Sequence, residues 1–127
     1  MLYILWIKQK LDIEKSIKEN GIEYKLKILD LENSTIAFFY DGKETLLGTL
    51  AFALPRGDTT ESSITSSILL GGKNIIISRF LSEKIASKTN KMALVSVYTK
   101  LPEKKAIKIF SKIVDKYLNC KVKNRMV

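Results

Sequence analysis

The first candidate for chemistry in this sequence is a glycine-lysine segment at positions 70–74, Leu-Gly-Gly-Lys-Asn. This segment is the nearest approach in the chain to a phosphate-binding loop. However, Ser67 stands where such a loop requires its first glycine, and Asn74 follows the lysine in place of the hydroxyl residue that binds magnesium. The sequence therefore predicts no nucleotide-phosphate site at this position.

The other candidates for chemistry are a pair of carboxylates and one thiol. Asp58 and Glu61 lie in a polar segment with no apolar neighbours that would favour a protonated carboxyl group. The chain has no histidine, which is the usual general base and the commonest metal ligand, so its serines and threonines lack an activating partner. Cys120 is the single cysteine, which excludes an intramolecular disulfide and a multi-cysteine zinc site. We therefore predict a protein that is not an enzyme, with no catalytic residue, no metal site and no cofactor.

The charge of the chain is strongly positive and unevenly distributed. The net charge is +9, and residues 100–127 contain nine Lys or Arg against Glu103 and Asp115. A basic C-terminal face of this kind attracts an acidic protein, nucleic acid or an anionic membrane, although a solvated lysine-rich helix has the same composition. The aromatic run at 38–40 is flanked by Asp41 and not by lysines, which favours core packing over stacking on RNA.

The length of 127 residues predicts one domain, residues 1–127, with enough chain to bury a single core. The apolar N-terminal stretch from Met1 to Ile7 is too short for a signal peptide or a membrane span. We therefore expect an intracellular protein without a membrane partner, located in the cytoplasm and also compatible with the nucleus.

Residues 79–99 predict a helix, a tight polar break and a buried strand. Leu81 and Ile85 lie four residues apart on one helical face, Ser78 is the predicted N-cap, and Asn90 is the predicted left-handed terminator. The run at 92–98 is apolar with little interruption, which is typical of a strand covered on both faces. Cys120 falls at the end of a later apolar helical pattern, which predicts a partly buried, inert thiol.

The rest of the chain predicts further strands and a second helix. Residues 41–44, Asp-Gly-Lys-Glu, are typical of a hairpin turn between two strands. Gly48 permits a bulge or the close approach of another backbone. Pro102 opens a helix with an apolar stripe at spacings of three and four. Whether residues 1–20 contain a strand or a helix is not decided by their pattern. The predicted strands are 22–31, 35–40, 46–54 and 64–70.

The order of these elements predicts the α+β class, with an antiparallel meander of about six strands and two helices on one face. The strands at 35–40, 46–54 and 92–98 are apolar on both faces. The face without helices therefore also requires burial, and the simplest solution is a second subunit packed sheet on sheet, with about 800 Å² buried per partner. The alternative is that long loops of the same chain fold over this face.

Three segments resemble the proteasome assembly chaperone 4 family. They are Leu47 to Ala53, the Ser-Ser-Ile-Leu-Leu-Gly run at 66–71, and the stretch from Leu81 to Ser96 that includes Lys-Thr-Asn-Lys at 88–91. The resemblance covers roughly residues 22–101. It implies a six-stranded sheet with two helices that dimerises through a sheet face. It also implies a non-enzymatic chaperone that pairs with a subunit related to proteasome assembly chaperone 3, and that contacts α-subunits of the 20S core particle during formation of the α-ring.

The resemblance also indicates which residues contact partners. The matching positions include Leu69 and Leu70, which we interpret as core. They also include the polar break at 88–91, which is the better candidate for partner contact. Two features depart from this group of proteins. The chain ends Arg-Met-Val, without the tyrosine that another assembly chaperone pair inserts into α-ring pockets, and the segment 1–10 has no counterpart. The predicted partner-binding residues are Lys88, Thr89, Asn90 and Lys91.

Two other functions fit the same sequence. A basic nucleic-acid-binding module would use the charge of residues 100–127, although nucleic acid is not the partner we expect. A longin- or roadblock-like scaffold of membrane traffic would share the sheet-plus-helices layout. The sequence does not decide which α-subunit is contacted, what the basic helix meets, or whether the chain forms a homodimer in isolation where a heterodimer forms in the cell.

Overall fold

The computed structural model of the protein describes residues 12–55 and 65–125, which form six strands and two helices. The predicted α+β class is confirmed. The predicted carboxylate pair and the N-terminal segment at 1–10 lie outside the described residues. The elements are β1 (Asp12–Glu19), β2 (Ile22–Asp30), β3 (Ser34–Asp41), β4 (Thr49–Leu54), β5 (Thr65–Leu70), α1 (Ile75–Thr89), β6 (Met92–Tyr98) and α2 (Glu103–Arg125).

The six strands form one sheet in the order β1-β2-β3-β6-β4-β5. The pair β3–β6 is parallel and the other four pairs are antiparallel, so the predicted antiparallel meander is wrong at this point. The hairpin predicted at 41–44 is also wrong, because β6 lies between β3 and β4. Gly42 does have the positive φ of 92° that its turn signal requires. The apolar β6 takes a central position in the sheet, between β3 and β4.

Both helices pack on the same face of the sheet and enclose the core. α1 lies over β4, β5 and β6, whereas α2 lies over β1 and β2, and the two helices contact each other. From the strands, the core takes small and aliphatic side chains together with Tyr24 and Phe39. The largest fully buried side chains are Leu26, Ile28, Phe39, Ile77, Leu81, Ile85, Val95, Val97, Phe110, Ile113, Val114 and Tyr117.

The two ends of α1 differ in the hydrogen bonds that their backbone groups form. At the C-terminal end Asn90 is left-handed, with φ 55°, and its N–H donates to the carbonyl of Ala86 at 2.9 Å, as predicted. At the N-terminal end the helix begins at Ile75, so the prediction of Ser78 as N-cap is wrong. Ser78 is buried inside the first turn, where its hydroxyl donates to the carbonyl of Asn74 at 2.6 Å. Serine forms this bond four residues back when it lies within a helix and not at its start.

The apolar stripe of α2 is confirmed and is anchored by aromatic contacts. Phe110 meets Tyr24 and Phe39 edge-on, with ring centroids 6.0 and 5.4 Å apart. Cys120 is exposed, so the predicted partial burial of its thiol is wrong; its position on α2 lies beyond the stripe, and the Lys15 ammonium is 3.5 Å from its sulfur. Among the described residues, neither helix combines the length and the apolar character that crossing a membrane requires.

β4 begins three residues later than predicted, directly after a close contact between two backbones. A Cβ on Gly48 would lie 1.9 Å from the carbonyl oxygen of Val97, so only glycine fits there. The Gly48 N–H donates to the hydroxyl of Ser96 at 2.9 Å, which holds the entering chain against β6. The predicted close approach of another backbone at Gly48 is therefore confirmed.

Candidate partner-contact surfaces

The predicted contact segment, Lys88 to Lys91, forms the end of α1 and the turn into β6. Two of its four residues serve the fold. The side chain of Thr89 is 5% exposed, and its hydroxyl donates to the carbonyl of Ile85 at 2.7 Å. Lys91 is half-buried and points towards the turn between β2 and β3.

The Lys91 ammonium binds two groups of that neighbouring turn. It donates to Oδ1 of Asp30 at 3.1 Å and to the carbonyl of Leu31 at 2.8 Å. The hydroxyl of Thr35 is within 3.4 Å of the same carboxylate oxygen. These bonds join the α1–β6 turn to the β2–β3 turn. They therefore fix the register in which β6 begins to pair with β3.

Only the other two residues of the segment are available to a partner. Lys88 and Asn90 are exposed, and Ser87 beside them is exposed as well. The left-handed backbone of Asn90 is fixed by its own hydrogen bond, so the turn presents these side chains from a rigid support. The sequence predicted partner contact for all four residues and did not separate them, because it carries no signal for the contact between Lys91 and Asp30.

The sheet face opposite the helices is apolar along β3, β6 and β4, whereas β2 contributes Leu29 together with two half-buried lysines, Lys25 and Lys27. We call the apolar part of this face the open face. The strand register places Ile36 of β3 beside Leu29 of β2 and Leu94 of β6, and Leu94 in turn beside Phe52 of β4. Six of its apolar side chains are half-buried, whereas Met92 is 44% and Leu54 40% exposed. No described element lies over these side chains. The open face consists of Leu29, Ile36, Phe38, Leu50, Phe52, Leu54, Met92 and Leu94.

Two leucines that we predicted to be core extend this apolar surface. Leu69 and Leu70 are 54% and 49% exposed. β5 is an edge strand, and its register shifts between Leu50 and Ala51 of β4, so that Leu70 comes to lie opposite Leu50 of the open face. A bulge of this kind has no clear signal in the sequence, which is why burial was the natural interpretation of two consecutive leucines.

The segment from Gly71 to Lys73 is a structural connection in this fold. Gly71 has φ 98°, and a Cβ on it would meet the side chain and backbone of Thr49. The Thr49 hydroxyl in turn donates to the carbonyl of Lys73. In the described part of the chain, no group of three or more His, Cys, Asp or Glu residues is placed to hold a metal ion.

The fold is shared with a solved structure. One similar chain belongs to the crystal structure of a novel chaperone complex for yeast 20S proteasome assembly, with a TM-score of 0.61 and 15% sequence identity. The alignment covers 88% of this chain and 94% of that chain. No protein-family model matches the sequence, and no curated protein matches it either. The similarity therefore concerns the arrangement of strands and helices over nearly the whole of both chains.

Proposed function

We propose that this protein is a non-enzymatic chaperone of 20S proteasome assembly that acts as a dimer with a related subunit and contacts α-subunits of the ring. The observation that carries the proposal is the open face, seen together with the fold that this chain shares with a subunit of a chaperone complex for yeast 20S proteasome assembly. The alignment covers 94% of that chain, so the shared fold extends over nearly all of it.

The open face supports a dimer that forms through packing of two sheets. Its eight apolar side chains lie on β2, β3, β6 and β4, which are adjacent in the sheet. Sheets pack face to face about 10 Å apart with interdigitated side chains, which suits the half-buried Ile36, Phe38 and Phe52. The second subunit in this proposal is a chain related to proteasome assembly chaperone 3, which would bring a similar apolar face.

The contact with α-subunits is assigned to the exposed part of the α1–β6 turn. Lys88 and Asn90 lie at the end of the molecule where β6 begins, beside the exposed Met92 of the open face. A dimer built on the open face would therefore present this turn at the margin of its interface. Such a surface acts by position: it favours one neighbour among similar α-subunits and needs no chemical step.

The proposal is tested by affinity capture from cell lysate followed by mass spectrometry. Recovery of 20S α-subunits together with one small chaperone subunit is the expected result. A paired capture with Phe52→Lys should lose the chaperone subunit, whereas Lys88→Glu with Asn90→Asp should retain it and lose the α-subunits. Recovery of neither class by the unmodified protein would overturn the proposal. Recovery of membrane-traffic GTPases in their place would support the scaffold interpretation.

A further inference from the structure

A groove crosses the end of the sheet at which β2 and β4 begin and β3 and β6 end, opposite to the end that carries Lys88. Three cavities of about 490, 440 and 180 Å³ make up this groove. The first and second share Tyr98 and Lys100 in their walls, and the second and third share Tyr24 and Leu101. Neighbouring cavities share lining residues, so the three lie side by side along this end of the sheet.

The middle cavity of the groove is mainly apolar. Its walls include Ile22, which is 46% exposed, and the half-buried Leu46, Tyr98 and Leu101. One carboxylate, Asp41, also lines it: Oδ2 accepts hydrogen bonds from the Thr99 hydroxyl and the Lys100 N–H, both at 2.8 Å, whereas Oδ1 is buried without a hydrogen-bond partner among the described residues. The remaining walls of the cavity are mainly apolar. An apolar side chain is therefore the group that this cavity suits.

Both ends of the groove are basic. Lys73 and Lys100 line the first cavity, and three lysines from successive turns of α2 line the third. All five are exposed, and none of them forms an ion pair with another residue in the part of the chain that the structure describes. The carboxylates along the groove are Asp41 in the middle and Glu19 on the rim of the third cavity, so cations predominate at both ends. The α2 lysines are Lys105, Lys108 and Lys112.

We propose that this groove binds an extended acidic segment of a partner protein, with an apolar side chain in the middle cavity and carboxylates against the lysines at both ends. The groove passes four strand ends, and strands lie about 4.8 Å apart, so a segment of about six residues spans it. Charge complementarity selects the acidic ends, and the apolar walls select the middle. A single-stranded nucleic acid fits less well, because it would place phosphates over the apolar walls and the Asp41 carboxylate.

The direct test uses the full chain and a fluorescein-labelled peptide, Glu-Asp-Leu-Phe-Asp-Glu, with binding followed by fluorescence anisotropy. We expect saturable binding that weakens as salt is raised, because carboxylates and lysines are screened. A second peptide with Ser-Ser in place of Leu-Phe keeps the same charge and should bind at least about fivefold more weakly. Hexathymidylate, labelled in the same way, is the nucleic-acid probe and should bind more weakly than the first peptide.

A pair of double variants locates the binding. Lys100→Glu with Lys108→Glu reverses one charge at each end of the groove and should weaken binding of the first peptide by about tenfold or more. Arg79→Glu with Lys116→Glu is the matched control, since it makes the same change in net charge at exposed basic residues outside the groove; its effect should stay below about twofold. All four basic side chains are exposed, so both variants should keep the circular dichroism spectrum and melting temperature of the parent.

Four results would overturn the proposal: no binding of the first peptide, equal weakening by the two double variants, equal affinity for the Ser-Ser peptide, or tighter binding of hexathymidylate. The comparison of peptides on the unmodified protein remains decisive even if a variant is unstable. This inference does not depend on the role in proteasome assembly, because neither the probes nor the readout involve a proteasome subunit.

Discussion

The Lys91 ammonium lies 3.1 Å from the Asp30 carboxylate and joins two turns that are 61 residues apart in the chain. Both side chains are about one-fifth exposed, so solvent screens this pair less than it screens an ion pair at the surface. We expect Lys91→Ala to lower the free energy of unfolding by about 1–3 kcal/mol, because it removes hydrogen bonds to a charged group and to a carbonyl.

Urea denaturation followed by circular dichroism measures this change. Lys88→Ala, three residues earlier and exposed, is the control and should change stability by no more than about 0.5 kcal/mol. Equal effects of the two substitutions would mean that the contact between the turns contributes nothing particular to stability.

The second prediction concerns the open face. Phe52→Lys places a charge among apolar side chains that we assign to an interface, and it should shift the protein to a monomer under conditions where the parent is a dimer. Ser16→Lys is the control, because Ser16 pairs with Lys25 of β2 and is exposed near the margin of the same sheet face. Light scattering after size exclusion gives the mass of each species. A parent that is monomeric with and without the proposed partner subunit would contradict the prediction.

The third prediction rests on the contact between Gly48 and β6. A methyl group at Gly48 would overlap the Val97 carbonyl, so Gly48→Ala should cost about 3 kcal/mol or more, or prevent folding. Gly72→Ala is the matched control, since a Cβ there meets nothing within 4 Å and the backbone lies outside the left-handed region. It should change the free energy of unfolding by less than about 1 kcal/mol. Thermal denaturation of the two variants measures the difference. Similar melting temperatures would show that a methyl group at Gly48 does not clash with the Val97 carbonyl.

The fourth prediction concerns alkaline pH. Burial raises the pKa of Tyr24 above its ordinary value of 10.0, and the charges of Asp41 and Glu19 raise it further. The unfolded chain loses this proton near pH 10, whereas the folded chain retains it to higher pH. The contribution of Tyr24 to the free energy of unfolding is therefore fully present below pH 10 and decreases as pH rises above 10. Tyr24→Phe should therefore show a smaller decrease in melting temperature between pH 9 and pH 11. Parallel decreases for the variant and the parent would exclude this contribution.

The fifth prediction tests the aromatic cluster under α2. Phe110 is fully buried and meets Tyr24 and Phe39 edge-on. Phe110→Ala should cost about 3–5 kcal/mol through lost burial and a residual cavity. Phe110→Leu keeps most of the volume and should recover more than half of that cost. Chemical denaturation of both variants gives the two values, and equal losses would show that the cavity is not the cause.

Local patterns predicted most of the elements, because their signals lie within a few residues. The left-handed Asn90, the close approach at Gly48 and the apolar stripe of α2 each depend on neighbours in sequence or on one backbone conformation. The same patterns predicted a sheet with two apolar faces. These features required no knowledge of which strands are adjacent.

The errors arose where distant segments meet. The turn signal at 41–44 predicted a hairpin, but β6 arrives from fifty residues downstream and occupies the place beside β3. Ser78 has the residue type of an N-cap, yet the N-cap position is Asn74, one turn earlier, which makes no side-chain capping hydrogen bond. No local pattern records the contacts that give Thr89 and Lys91 their roles in the contact segment. The same is true of the groove at the opposite end of the sheet, which several elements form together.

The central place of β6 has a consequence for synthesis on the ribosome. The strands β1 to β3 and the pair β4–β5 are made first, but β3 and β4 are not paired with each other; among the described strands, β6 (92–98) lies between them and pairs with both. A nascent chain that ends before Met92 therefore carries two half-sheets that β6 has not yet joined, each with an unsatisfied inner edge. The complete sheet must close late, when most of the polypeptide has already emerged, and until then those edges are open to capture by other nascent strands.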